Sequence, residues 1–481
     1  MSGELARAAG VVGALGLAVL IAARPRAARL AGLVTWAVGA AGVALYLAPS
    51  GHERRLTVAA VAGAVAALGL AVLFRRWPWL VAVAALACVP ARIPVHVGET
   101  EANLLLPLYL VVAAAALVLA LEIVRGDGRA QELGRLTWPL AAFVAWTGLT
   151  LIWTDDLRQG AIAIVAFYLP FGLLAVALAR LPWQRRWVAF LAVQLVAMAL
   201  AFAAIGVYQY TTRDVFWNPK VIVGNAYAPF FRVNSVFYDP SVYGRFLVVA
   251  IVACLVLALT TRARIAYAAA AAIAVAWVGL LFSFSQSSFT ALIAAALLVA
   301  WAAWQRRAIV AVGLVAAVLV SAGVAAPRVR STIVRHTHAG LNHATSGRSK
   351  LVVNGAKLAA HHPVLGVGIG SFKRAYAEQQ HLRGREPKSA ASHDTPITVA
   401  AETGIPGLAL FVWLLVAALV ALPRRLPRTF DERAAVIFGL ALAAIAVHSL
   451  FYNAFFEDPM SWGVLALAPL AARARREGAT A

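Results

Sequence analysis

Apolar runs of about 20 residues recur along most of this chain, and they decide its solvent before any motif is considered. At ~1.5 Å rise per residue, a helix of that length crosses a hydrocarbon core ~30 Å thick. Within such a layer water cannot satisfy backbone groups, so only helices and closed barrels survive. Runs this long and continuous favour helices. Composition agrees: 62% of residues are hydrophobic and 13% charged, against roughly 45–50% and about 25% in soluble domains. The expected fold is therefore all-α, a polytopic transmembrane helical bundle. A secreted enzyme, a DNA-binding domain and a fibrous chain are excluded. The two cysteines, Cys88 and Cys254, both lie inside apolar runs, which argues against a disulfide framework and a thiolate zinc site.

Fifteen candidate spans lie near residues 5–23, 30–49, 56–74, 79–91, 103–124, 137–153, 160–180, 187–210, 241–260, 265–283, 287–304, 308–326, 396–421, 434–453 and 459–472. The fourth and last are short, so the expected count is about 13–15. The basic residues sort onto alternate loops marked by Arg24, Arg75, Arg125, Arg185, Arg262, Arg306, Arg424 and Arg473. About half of the 42 Lys and Arg fall there, which assigns that side to the cytoplasm. Topology thus accounts for much of the +22 net charge without nucleic acid.

The chain divides into N-terminal spans (1–210), a first long outer loop (211–240), further spans (241–326), a large extracytoplasmic loop (327–395) and C-terminal spans (396–481). Loops this long in a compact membrane protein are usually functional or disordered. The second reads as a partly helical cap on the outer face. No convincing internal repeat appears, which counts against inverted-repeat transporters.

The densest constellation begins at Pro363-Val-Leu-Gly366-Val-Gly368-Ile-Gly370-Ser371-Phe372. It continues with Ser392-His393-Asp394-Thr395 and Ala401-Glu402-Thr403-Gly404-Ile405-Pro406-Gly407-Leu408. Glycines at 366, 368 and 370 permit a tight path with amides turned toward an anion; the same pattern also serves as a plain turn before an interfacial helix. No Gly-Lys-Ser/Thr follows, so this is not a P-loop. His393 sits between the long loop and a span, where imidazole accepts a proton from a hydroxyl near neutral pH; an interfacial histidine bonded to a carbonyl occupies the same position. Glu402, some two turns into the span, calls for a partner or a substrate hydroxyl.

Arg232, Arg245 and Arg348 lie on or beside the outer segments. Their planar fork matches phosphate oxygens, although anionic lipid headgroups attract arginine too. The histidines His336, His338, His343, His361 and His362 match no zinc-ligand spacing and bring no carboxylate. Asp155–Asp156 and Glu457–Asp458 read as solvated helix termini on short outer loops.

These residues resemble the O-antigen ligase and polysaccharide polymerase family of membrane glycosyltransferases. Pro363 to Gly368 is similar to the family's Pro-x-x-Gly-x-Gly turn, His393 to its loop histidine, and Ala401 to Leu408 to its Ala-Glu-x-Gly-x-x-Gly-Leu span opening. Arg232 to Pro240 resembles its Arg-led segment, and Gly347-Arg348 its Gly-Arg. The likeness covers about residues 232–410. Two positions depart: Ser285-Gln286 stands where the family often has Ser-Arg, and Asp394 where Asn usually follows the histidine.

The resemblance implies a GT-C-like bundle in the cytoplasmic membrane with its site facing the periplasm or outside. The implied donor is a saccharide on undecaprenyl pyrophosphate; the acceptor is a glycan, lipid or protein hydroxyl. Arg232, Arg245 and Arg348 are then expected to hold the pyrophosphate and His393 to deprotonate the acceptor, with Glu402, Gly366 and Gly368 as further substrate contacts. The implied reaction is inverting and needs neither metal nor cofactor. Polymerase and ligase share this chemistry and differ in acceptor; the reading leans to a polymerase. The alternative class is a non-catalytic transporter or flippase of lipid-linked saccharides, disfavoured because ionisable residues are scarce at mid-span.

Overall fold

The computed structural model describes residues 2–49, 51, 53–97, 100–216, 218–227, 230–304, 348–381, 392–420 and 426–468. The candidate span at 308–326 and the histidines at 336, 338 and 343 lie outside these residues. The first helices are α1 (Gly3–Ala22), α2 (Arg26–Leu47), α3 (Glu53–Arg76) and α4 (Leu80–Ala87). After a hairpin of Ile93–Val97 and Thr100–Leu104 come α5 (Leu106–Val124), α6 (Thr137–Leu149), α7 (Leu157–Ala163) and α8 (Leu169–Arg180). Then follow α9 (Arg185–Thr212), α10 (Pro219–Tyr227), α11 (Pro240–Thr260), α12 (Ala263–Ser283) and α13 (Gln286–Trp304). The remainder comprises α14 (Arg348–His361), α15 (Phe372–Gln379), α16 (Thr395–Leu419), α17 (Phe430–His448) and α18 (Pro459–Ala468).

Among the described residues, 11 helical segments are long and apolar enough to cross a membrane. The protein is thus a polytopic helical bundle. The candidate spans at 79–91 and 459–472, already short in the sequence, stay below spanning length among the described residues: α4 has 8 residues, and α18 is described over Pro459–Ala468. Cys88 ends α4, and Pro90 follows at the foot of the hairpin, so helix propagation stops there. The hairpin departs from the all-helical expectation; five-residue strands are too short to produce a clear alternating pattern.

The segments Leu157–Arg180 and Pro240–Thr260 are mostly buried, whereas α3 and α9 are largely exposed along their apolar sides, as peripheral spans facing lipid should be. Between α7 and α8 the helix widens into a π turn at Ile164–Tyr168, feeding directly into Pro170.

One end of the bundle collects charge. Arg180 is almost enclosed and pairs with Asp127 (2.8 Å), Glu132 (2.5 Å) and Glu122 (3.3 Å). Arg129 pairs with Asp127 at 2.6 Å, and its hydrogen bonds hold that carboxyl down at about 2. Arg185 meets Asp431 at 2.5 Å. Arg433 donates to Thr260 O at 2.9 Å. Basic residues from three separate loops therefore share this end, as their sorting along the sequence anticipates.

Candidate functional site

The opposite end is organised by a break in α16. Gly404 has φ 69° and ψ −174°, a conformation outside the helical region, and Pro406 follows two residues later. Proline has no N–H to give Glu402 O, so the helix loses its i→i−4 bonds here. The freed groups find partners elsewhere. Ala401 O accepts from Val367 N–H (2.8 Å), Glu402 O from Gly368 N–H (2.9 Å), and Ile405 N–H donates to Pro363 O (2.7 Å). Thr403 O accepts from the Trp146 indole at 2.8 Å. The Pro-x-x-Gly-x-Gly turn is thus the hydrogen-bonding complement of the broken helix, which explains why the chain carries both motifs.

That docking demands glycine. A Cβ at Gly366 (φ 68°) would fall 2.4 Å from Glu402 C and O, and one at Gly368 (φ 87°) 2.4 Å from Thr154 Cα. The anion that the turn's amides meet is the protein's own: the Glu402 carboxylate accepts from Gly370 and from Phe372 N–H (3.3 Å). Ser371 Oγ ties the turn to the end of α6, accepting from Asp155 N–H and Asp156 N–H at 3.0 Å each and touching Thr154 Oγ1 at 2.6 Å. Gly366, Gly368 and Glu402 are therefore brought together as one docking unit.

His393 lies half-buried just before α16 with φ 59°, a left-handed conformation that histidine adopts more readily than bulky residues. The residues around it hold that turn. Asp394 caps α16 by accepting from Ile397 N–H at 2.8 Å, and burial pushes its carboxyl above the ordinary range. Ser392 Oγ donates to Asp394 O (2.6 Å) and contacts Thr398 Oγ1 (2.8 Å). Aspartate and asparagine are equivalent helix caps, so this departure from the family pattern leaves the turn's architecture intact.

From this turn contacts lead inward. Thr395 N–H donates to Ser449 O (2.8 Å), at the end of α17. The neighbouring His448 is fully buried; its Nε2 lies 3.0 Å from Ser287 Oγ and 3.2 Å from Ser241 O. Ser285 Oγ contacts the hydroxyls of Ser287 (3.1 Å) and Ser288 (2.8 Å). One turn beyond Ser241 in α11 is Arg245, 1% exposed, its Nη2 2.7 Å from Asp458 Oδ2 and its Nη1 3.4 Å from Ala454 O.

Arg232 reaches the same end. Its Nε donates to Ser283 O (3.2 Å), and Asn225 brackets its backbone with two 2.9 Å bonds. Arg348 opens α14, a helix packed against α16. The structure thus joins the His393 turn to the element carrying Arg245, with Arg232 beside the same serine cluster.

Two residues escaped the sequence reading. Asp458, expected at a solvated helix terminus, is buried against Arg245; its pairing spans more than 200 positions and leaves no local signature. Asp156 does match that expectation, capping α7 by accepting from Gln159 N–H at 3.1 Å. His448 was visible only as an ionisable residue near a span end. A histidine enclosed among serines 161 positions away in sequence cannot be foreseen from helical periodicity.

No curated protein matches the chain. Residues 271–412, which include Arg348, the glycine turn, His393 and Glu402, match the family model of O-antigen ligase. Arg232, Arg245, His448 and Asp458 fall outside that stretch. The glycine turn, the loop histidine and the broken Ala-Glu-x-Gly helix all lie within it, so this stretch of the chain is similar to the O-antigen ligase family.

Proposed function

We propose that this protein is a glycosyltransferase of the cytoplasmic membrane, working on the face opposite its arginine-rich end, which is the periplasmic or outer face. It moves a saccharide from undecaprenyl pyrophosphate to an acceptor hydroxyl on a glycan, lipid or protein. His393 takes the proton of that hydroxyl as its oxygen attacks the anomeric carbon. The bond to the pyrophosphate oxygen breaks, and the electron pair leaves with the lipid pyrophosphate. Attack opposite the leaving group inverts the anomeric centre.

Arg232, Arg245 and Arg348 supply positive charge to the departing pyrophosphate in place of a divalent cation. Gly366, Gly368 and Glu402 serve the substrate indirectly, by fixing the break in α16 next to which it binds.

The observation that carries this reading is the hydrogen bond from Thr395 N–H to Ser449 O. It ties the His393 turn to the buried group around His448, Ser241 and Arg245. A base and a guanidinium at one end of a bundle are what transfer from a pyrophosphate carrier requires.

The test uses purified protein in nanodiscs with a synthetic undecaprenyl-pyrophosphate oligosaccharide and no added metal, products being resolved by mass. A ladder from donor alone identifies a polymerase, and a single addition to a distinct acceptor identifies a ligase. Release of no lipid pyrophosphate under any condition, with folded protein, overturns the enzyme reading in favour of transport. Arg348→Lys should weaken donor use, because a point charge does not replace a bidentate fork.

A further inference from the structure

At the arginine-rich end, far from His393, two cavities join. The first is a vestibule of about 840 Å³, a size typical of small-ligand sites. Its rim carries both signs of charge: Arg129, Arg180 and Arg185 against Glu132 and Asp431. The second is a cleft between α4, α8, α9, α11, α17 and α18 whose 21 lining residues include no charged side chain. Val188, Ala434 and Phe438 line both, so the polar space opens directly onto the apolar one.

The cleft follows α17 from Ala434 to Ala441, about 10 Å along the axis at ~1.5 Å per residue. It ends beside Pro459 and Met460, directly after the Asp458 that pairs with Arg245. A charged chamber leading into an apolar slot suits an amphiphile, the slot holding the part of its chain nearest the headgroup within one ~15 Å leaflet of a ~30 Å core.

Headgroup chemistry follows from the rim. Arg185 is 71% exposed at its side chain and only 2.5 Å from Asp431, so cation and anion are offered side by side. An anionic headgroup would meet the guanidinium and be repelled by the adjacent carboxylates. A zwitterion satisfies both: its phosphate accepts from arginine and its ammonium donates to Asp431 or Glu132. We propose that this vestibule and cleft form a binding site for a phosphoethanolamine phospholipid, seated from the leaflet at the arginine-rich end. On the orientation given by the arginines that leaflet is cytoplasmic. The site is independent of the glycosyl-transfer reading.

Gly463 provides a clean test. It lines the cleft, and a Cβ there would meet only Leu178 Cδ1, at an ordinary 3.9 Å. Gly463→Phe therefore adds a Cβ without a backbone clash and brings aromatic bulk to the wall of the slot. Delipidated protein is titrated with dioleoyl phosphatidylethanolamine, phosphatidylcholine or phosphatidylglycerol and followed by native mass spectrometry and thermal unfolding. Phosphatidylethanolamine should bind wild type and raise its Tm, with Gly463→Phe reducing that binding at least tenfold.

Asp431→Asn should retain acyl-chain binding but lose the preference for ethanolamine over choline. Unchanged binding in Gly463→Phe overturns the site. Equal binding of all three lipids overturns the headgroup assignment. Binding of a polyprenyl phosphate in a parallel titration, without binding of phosphatidylethanolamine, overturns the proposal in favour of the carrier lipid.

Discussion

Gly368 N–H donates to Glu402 O at 2.9 Å, the carbonyl that Pro406 cannot serve. One hydrogen bond thus joins the cap to a membrane span at the point where that span is broken. The His393 turn lies nine residues before Glu402, just ahead of the same helix.

Substitution at the break should separate two causes. Gly404→Ala and Gly368→Ala each force a Cβ into positive φ and within 2.4 Å of backbone. Left-handed strain of ~1–2 kcal/mol and overpacking of ~1–3 kcal/mol predict a loss of about 2–5 kcal/mol. Pro406→Ala restores an N–H whose acceptor is already occupied and should cost under about 1 kcal/mol. Thermal unfolding in detergent measures all three; equal losses across them would contradict the account.

The cap at Asp394 yields a milder prediction. Asp394→Asn keeps the acceptor for Ile397 N–H and should leave stability and activity near wild type, whereas Asp394→Ala should cost about 1 kcal/mol. Burial raises this carboxyl's pKa above its ordinary 3.8. Its contribution is therefore full below that value and lost as pH rises through the folded pKa. Stability profiles from pH 3 upward, flatter in Asp394→Asn than in wild type, check the sign.

The two motifs were legible in sequence because each has a local signature: glycines at alternate positions, and a Gly-x-Pro inside an apolar run. That they bond to each other was not, since Pro363 and Ile405 are 42 positions apart. The spans were legible because bilayer thickness imposes a length, and the same criterion set α4 apart as too short to cross it. The Arg245–Asp458 pair had no sequence signal beyond two charges near an outer surface.

That pair supplies the third prediction. Removing one partner strands a buried charge, so Arg245→Met or Asp458→Leu alone should cost about 3–5 kcal/mol. The double variant should recover most of that stability and still lack transfer activity, because the guanidinium is gone. A double variant with wild-type kcat would confine Arg245 to a structural role.

At the arginine-rich end, the Arg129 guanidinium holds Asp127 at about 2, below its ordinary 3.8. Its stabilisation is therefore present above pH ~4 and lost as pH falls through about 2. Asp127→Asn should flatten the acid limb of the unfolding curve; an unchanged limb would remove this cluster from acid stability.

The most direct test of the central claim compares wild type with His393→Asn. Asparagine tolerates the left-handed backbone at this position, so the substitution removes the imidazole with the turn retained. Single-turnover release of undecaprenyl pyrophosphate is measured with acceptor present. The account predicts that release falls by at least 10²-fold, the lower range for a lost general base, at unchanged donor binding and Tm. Release at the wild-type rate from folded His393→Asn protein would contradict it.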